Sequence, residues 1–209
     1  MKVTMISTKE IYEIDRRVQS LGIPALVLIE NAGANAARIV HEKYILKNKN
    51  ILIFAGTGNN GGDGLVFARH AQKFGANTTV FLSKSPETIR TEETKTNYDI
   101  VKNIGIDVYV NAISKNILEN LDIACDALLG IGLRNDVKEP YKKMIEIFNN
   151  LDCAKISLDC PSGIDADTGE SCGIAAKPDM TVTFYDIKKG LNQSNCGELI
   201  VTDIGIKKY

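Results

Sequence analysis

Beyond Lys49 the chain alternates short runs rich in Val, Ile and Leu with longer amphipathic segments, and that rhythm restricts its fold more than any single motif does. The runs at 51–55, 78–82, 107–110, 123–129, 155–159, 180–185 and 199–202 read as strands, and 65–74, 92–103 and 140–150 as helices between them. Continuous apolar runs, as opposed to alternating ones, need burial on both faces, which a parallel sheet covered by helices provides. The expected fold is α/β: a Rossmann-like, doubly wound, mostly parallel sheet with helices on both faces. Two extra helices precede it. Ser7-Thr8-Lys9-Glu10 has capping-box spacing, with Ile11, Ile14 and Val18 on one face of a helix ending near Gly22, and Pro24 opens a longer helix reaching residue 45.

A length of 209 residues suits one domain, taken as residues 1–209, with no linker or repeat inside it. The 25 Lys and Arg nearly balance 26 Asp and Glu, and a net charge of -1 supplies no general attraction to nucleic acid or an anionic membrane. Cys125, Cys153, Cys160, Cys172 and Cys196 form no C-x-x-C pair, and His41 and His70 lie far upstream, so neither a zinc site nor a disulfide framework is expected. Lys2, Lys9, Glu10, Glu13 and Asp15 leave no apolar core for a secretory signal, and no run reaches the roughly 18 apolar residues of a membrane span. The expected location is the cytoplasm.

The strongest local signal is Gly56-Thr57-Gly58-Asn59-Asn60-Gly61-Gly62-Asp63-Gly64, between the first strand and a helix. Glycines there let backbone N–H groups approach a pyrophosphate, and Gly56, Gly58 and Gly61 fit the dinucleotide fingerprint. The next strand ends Phe81-Leu82-Ser83-Lys84, without the acid that a dehydrogenase uses to hold the ribose, and Gly62 stands where a Walker loop needs Lys. A turn that merely packs helix on sheet explains the glycines but not Asn59, Asn60 and Asp63.

A second cluster, residues 158–169, lies where open α/β sheets bind ligands. Asp159 at its strand end reads either as a tuned acid or base or as a turn cap, while Asp167-Thr168-Gly169 reads as a turn. A third cluster, residues 125–136, carries Asp126 inside an apolar run, where a carboxylate must be hydrogen-bonded, paired or bound to a cation. A hydrogen-bonded core aspartate is the default there; if Asn60, Asp126 and Ser162 converge, their hard oxygens suit an alkali or alkaline-earth ion. The histidines read as packing residues, no Ser-His-Asp triad is spaced for catalysis, and Cys160 alone of the cysteines is expected beside the pocket.

Together these segments resemble the NAD(P)H-hydrate epimerases, the YjeF N-terminal domain family. The likeness runs from G-I-P-A-L-V-L-I-E-N-A-G (22–33) through G-T-G-N-N-G-G-D-G-L-V-F-A-R-H (56–70), D-A-L-L-G-I-G-L (126–133) and L-D-C-P-S-G-I-D-A-D-T-G (158–169). It continues in P-D-M-T-V-T-F (178–184), K-K-G-L (188–191) and G-E-L-I-V-T-D-I-G-I (197–206). The resemblance implies an isomerase that interconverts the R and S forms of hydrated NADH and NADPH (NADHX and NADPHX), supplying the S form to a dehydratase. It implies that Asn59, Asn60, Gly61, Gly62 and Asp63 bind substrate together with Gly130, Ile131, Gly132, Leu133, Arg134, Asn135, Asp136 and Asp159. It further implies a potassium ion held by Asn60, Asp126 and Ser162, and a homodimer formed through the N-terminal helices. Departures fall at Ile29, where methionine is frequent, and at Tyr185-Asp186, where a small residue is common.

The substrate's hydroxyl sits on C6 beside the ring nitrogen, so a protonated hydroxyl leaves as water, an iminium forms, and water re-enters from the other face. A carboxyl serves as acid and then base, and Asp159 is the expected group. Two competing classes are an NADP-dependent oxidoreductase, suggested by the glycines with Ser83-Lys84, and a non-catalytic scaffold of the same family.

Overall fold

The computed structural model describes residues 5–207, so Lys2 lies outside the described residues. Strand β1 (Met5–Ile6) leads into helices α1 (Thr8–Ser20) and α2 (Ala25–Tyr44). The alternating part follows as β2 (Asn50–Ala55), α3 (Asn59–Lys73), β3 (Asn77–Leu82), α4 (Glu92–Asn103), β4 (Asp107–Val110), α5 (Lys115–Glu119), β5 (Ile123–Ala127), α6 (Tyr141–Asn149) and β6 (Ala154–Leu158). Last come β7 (Met180–Phe184), β8 (Ile187–Lys188), α7 (Gln193–Cys196) and β9 (Glu198–Thr202).

Seven strands form one all-parallel sheet in the order β4-β3-β2-β5-β6-β7-β9. Chain order reverses between β2 and β5, and the loops leaving these two strands diverge to opposite sides, opening a crevice at their carboxyl ends. The central strands β2, β5 and β7 are buried almost throughout, with Asp126 of β5 and Thr181 and Thr183 of β7 buried among their apolar residues. One face packs Ile51, Ile53, Val80 and Cys125 under α2, α3 and α4; the other packs Leu52, Phe54, Phe81 and Ala124 under α6.

The capping box forms as its spacing predicts: Ser7 Oγ accepts from Glu10 N, and Glu10 Oε2 accepts from Ser7 N at 2.8 Å. Asp167, expected only in a turn, also fastens α1, its carboxylate accepting from Thr8 N at 2.8 Å and Thr8 Oγ1 at 2.5 Å. Strands β1 and β8 pair in parallel over two residues, a contact that no periodicity announces. These ties hold α1 against the carboxyl end of the sheet. Among the described residues no helix is long and apolar enough to cross a membrane.

Candidate active site

Helix α3 begins at Asn59, six residues ahead of the start expected from apolar periodicity, so only 56–58 form the turn after β2. Glycines disfavour helix in isolation, but here contact decides. A Cβ on Gly61 would stand 1.9 Å from the Gly56 carbonyl oxygen, and one on Gly56 would stand 1.9 Å from that of Leu128. Gly62 faces Thr94 and Ile29, and its N–H is spent on Gly58 O at 3.2 Å. Gly61 and Gly62, grouped by sequence with the substrate contacts, therefore let the helix lie close to its neighbours. Gly58, Asn59, Asn60 and Asp63 border the crevice, where the positive end of a 15-residue helix points outward.

That crevice encloses about 890 Å³. Asn59, Asn60, Asp63, Asp159 and every residue from Gly130 to Asp136 border it, and α1 and α2 close its far side. Gly130 draws separate motifs together: a Cβ there would lie 3.3 Å from Asn60 Cβ and 3.7 Å from Asp159 Oδ2. Ile29 and Tyr185, the two departures from the family pattern, also line it.

Beneath the floor lies a cluster of oxygens. Asp126 is fully buried and accepts from Ser157 Oγ and Ser162 N at 2.8 Å, from Ser162 Oγ at 2.5 Å and from Leu128 N at 3.2 Å. Burial raises its pKa above the ordinary carboxylate value despite these bonds. Ser162 Oγ accepts from Leu129 N at 2.8 Å, and Asn60 Nδ2 donates to Leu129 O at 3.1 Å, so the three residues meet around one loop. Asn60 Oδ1 is buried and without a hydrogen-bond partner. An orphaned amide oxygen beside a carboxylate, a hydroxyl and a main-chain carbonyl fits a hard alkali cation. Among the described residues no group of three or more His, Cys, Asp or Glu side chains could hold a metal ion.

At the other end of the crevice, Asp159 follows β6 with its backbone in the left-handed region, φ +64°. Its carboxylate takes a charge-assisted bond from Lys188, whose buried ammonium also donates to Thr183 Oγ1 at 2.8 Å and Phe184 O at 2.9 Å. Two more carboxyls face this pair. Asp63 is pushed well above the ordinary carboxylate range by burial first and by the Asp159 charge second, with no hydrogen bond to offset them. Asp15 of α1 is raised by the same two causes. The arrangement sets a carboxyl of raised pKa near an ion-paired one, an environment that separates acid from base.

Lys188 and Asp15 escape sequence reasoning. Asp15 leaves one signal, a lone acid on the Ile11, Ile14 and Val18 face of α1. Cys160 does not border the crevice: it is buried with Ile164, Ala166, Leu191 and Cys196, and burial raises its thiol pKa well above the ordinary value. His70 bonds Glu30 and His41 stacks on Phe74, both packing roles.

Residues 25–190 match the family described as YjeF-related protein N-terminus. The chain belongs to that family. This YjeF-related domain is 40% identical over 204 residues to the NAD(P)H-hydrate epimerase of Nitrosopumilus maritimus, covering 96% of this chain and 95% of that one. It is also 40% identical over 212 residues to the bifunctional NAD(P)H-hydrate repair enzyme Nnr of Pyrobaculum aerophilum, of which it spans 42%. Among solved structures, yeast ynu0 superposes with a TM-score of 0.83 at 27% identity, covering 96% of this YjeF-related domain and 87% of the yeast chain.

Proposed function

We propose that this protein is an isomerase that epimerises hydrated NADH and NADPH at C6 of the damaged nicotinamide, a repair activity. The observation that carries the reading is the gathering of a dinucleotide-type glycine turn and a carboxyl pair, Asp63 and Asp159, around one crevice in a chain so similar to an epimerase along its length. The dinucleotide's pyrophosphate lies at the N-terminus of α3, and its hydrated ring reaches Asp159.

Burial and the neighbouring Asp159 charge disfavour the Asp63 anion and raise its pKa, which suits this carboxyl to act as the acid. It protonates the C6 hydroxyl; the C–O bond breaks, water departs, and the ring nitrogen's electron pair forms the iminium. Asp159, ion-paired with Lys188, stabilises that cation and accepts the proton of the water that adds to the opposite face. Proton exchange through the open crevice restores the starting state. The work expected of Asp159 alone is thus divided between two carboxyls. Asn60 Oδ1, Asp126 and Ser162 Oγ would hold a potassium ion, which supplies a fixed positive charge beneath the 128–136 loop.

The S epimer passes to a dehydratase, as the name of the bifunctional relative suggests. The chain acts as a cytoplasmic homodimer; Leu21, Leu26 and Val27 stay exposed where α1 meets α2, an apolar patch suited to a second copy. Chiral chromatography of the two epimers tests the reading. Interconversion above the uncatalysed rate is expected, falling roughly 100-fold or more in Asp159→Asn and Asp63→Asn with substrate affinity kept. No catalysed interconversion overturns the function, and a wild-type rate in Asp159→Asn removes that residue's role.

A further inference from the structure

A second hollow, of about 500 Å³, opens between the carboxyl ends of β3 and β4 and the start of α6. Phe81, Ile113, Met144 and Ile147 give it an apolar floor, and Ser83, Lys84 and Lys143 lie on its rim. Ser83 is only 4% exposed, yet its Oγ, beside the Tyr141 phenol, closes no hydrogen bond of normal geometry. Lys84 extends over the Tyr141 ring at 5.4 Å, and neither it nor Lys143 has a carboxylate partner among the described residues. A buried hydroxyl without a partner and two unneutralised ammonium groups around an apolar slot describe a site for a flat, apolar-faced group carrying an anion.

Strand order says which group. β3 adjoins β2 on the side away from β5, so the hollow lies one strand beyond the glycine turn, opposite the Asp159 end. In a dinucleotide whose pyrophosphate rests on that turn, the adenosine crosses the end of the next strand, where an acid accepts the ribose 2′-hydroxyl or a cation the 2′-phosphate. Here that strand is followed by Ser83 and Lys84, with no acid. Tyr141 borders the first crevice, and Lys84 of this hollow's rim lies over its ring, so the two cavities adjoin at that residue.

We infer that the second hollow seats the adenine, and that Lys84 and Lys143 grip the 2′-phosphate, making hydrated NADPH the preferred substrate over hydrated NADH. The inference rests on the epimerase reading for its nicotinamide end. Its test uses two independent measurements. Wild-type kcat/KM exceeds that for hydrated NADH by roughly tenfold or more on hydrated NADPH, and the ratio falls towards one in Lys84→Ala/Lys143→Ala. Calorimetry with adenosine 2′,5′-bisphosphate gives binding that weakens about 100-fold in the double variant. Ala112→Trp, an exposed position on the hollow's wall, abolishes binding of both the bisphosphate and adenosine 5′-monophosphate. An unchanged substrate ratio, or bisphosphate binding that ignores all three substitutions, overturns the site while leaving the epimerase standing. If the wild type interconverts neither hydrate, the epimerase reading falls and the calorimetry alone decides the site.

Discussion

Replacing Lys188 with Met keeps most of a buried aliphatic stem and removes three donors at once. In the native structure those donors are matched one to one by Asp159 Oδ1, Thr183 Oγ1 and Phe184 O. The lysine side chain is 2% exposed and that of Asp159 13%, so both charges are largely withdrawn from water although both border the crevice. Breaking a buried pair from one side costs about 3–5 kcal/mol, because the surviving charge stays in a poorly polarisable setting. Total stability of a domain is about 5–15 kcal/mol, so the loss is a large share of it. At about 2–4 °C per kcal/mol for a chain of this size, Tm falls by about 6–20 °C.

A double-mutant cycle separates the ion pair from ordinary packing. Asp159→Asn leaves the ammonium without its counter-charge; because Asp159 borders the crevice, water eases that strain and the cost is about 1–3 kcal/mol. Asn tolerates the left-handed backbone at φ +64°, so the substitution reports on charge and not on conformation. Asp159→Asn/Lys188→Met carries no charge at either position of the pair, and its cost is less than the sum of the two by about 1–3 kcal/mol. Urea unfolding at pH 7, followed by circular dichroism, measures all four corners. A coupling below about 0.5 kcal/mol would refute the reasoning, since it would mean that each side chain acts without the other.

Asp63→Asn should stabilise the fold while impairing turnover. The native carboxyl is raised above its ordinary value of about 4, so stability is complete below that pH and declines as pH climbs towards the folded-state pKa; the Asn variant escapes the decline and gains on the parent between pH 4 and 7, as thermal melts at the two pH values would record. Gly61→Ala drives a methyl into the Gly56 carbonyl at 1.9 Å, and a loss of more than about 3 kcal/mol, seen as missing soluble protein or a collapsed Tm, is expected; a wild-type melt would contradict the packing role given to this glycine. Potassium at about ten times its dissociation constant should add about 1.4 kcal/mol, sodium less, and the gain should vanish in Asn60→Ala, where the orphaned amide oxygen is gone; differential melts in potassium and in choline salts check it.

What the sequence discloses follows from how far each cause reaches along the chain. The β2 run, the Ser7 capping box and the buried Asp126 are legible because each depends on residues within a few positions: burial on both faces, a cap three residues away, a carboxylate with apolar neighbours. The start of α3 is hidden because helix propensity argues against Gly61, Gly62 and Gly64, whereas the end of β2, helices α2 and α4, and strands β2 and β5 respectively leave no room for a Cβ there. Strand β5 stops at Ala127, short of Leu129, because Ser162 draws the Leu129 main chain away from the sheet.

Lys188 is the instructive miss. In the sequence it stands only as part of the K-K-G-L stretch, and nothing near it asks for a buried ammonium. Its need for burial arises only because the β6–β7 register sets Leu158 beside Val182, which brings Asp159 over the end of β7. There the Asp159 N–H bonds Val182 O at 2.8 Å, and the carboxylate turns to the segment that carries Lys188. The charge that holds the expected catalytic aspartate in place is therefore a product of strand pairing. The same holds for the acid that faces it: the pKa of Asp63 is raised by the walls that close around it, not by its neighbours in the glycine turn. Residue types and their order disclose which groups reach the crevice, and only the packing decides which of them are buried and which are paired.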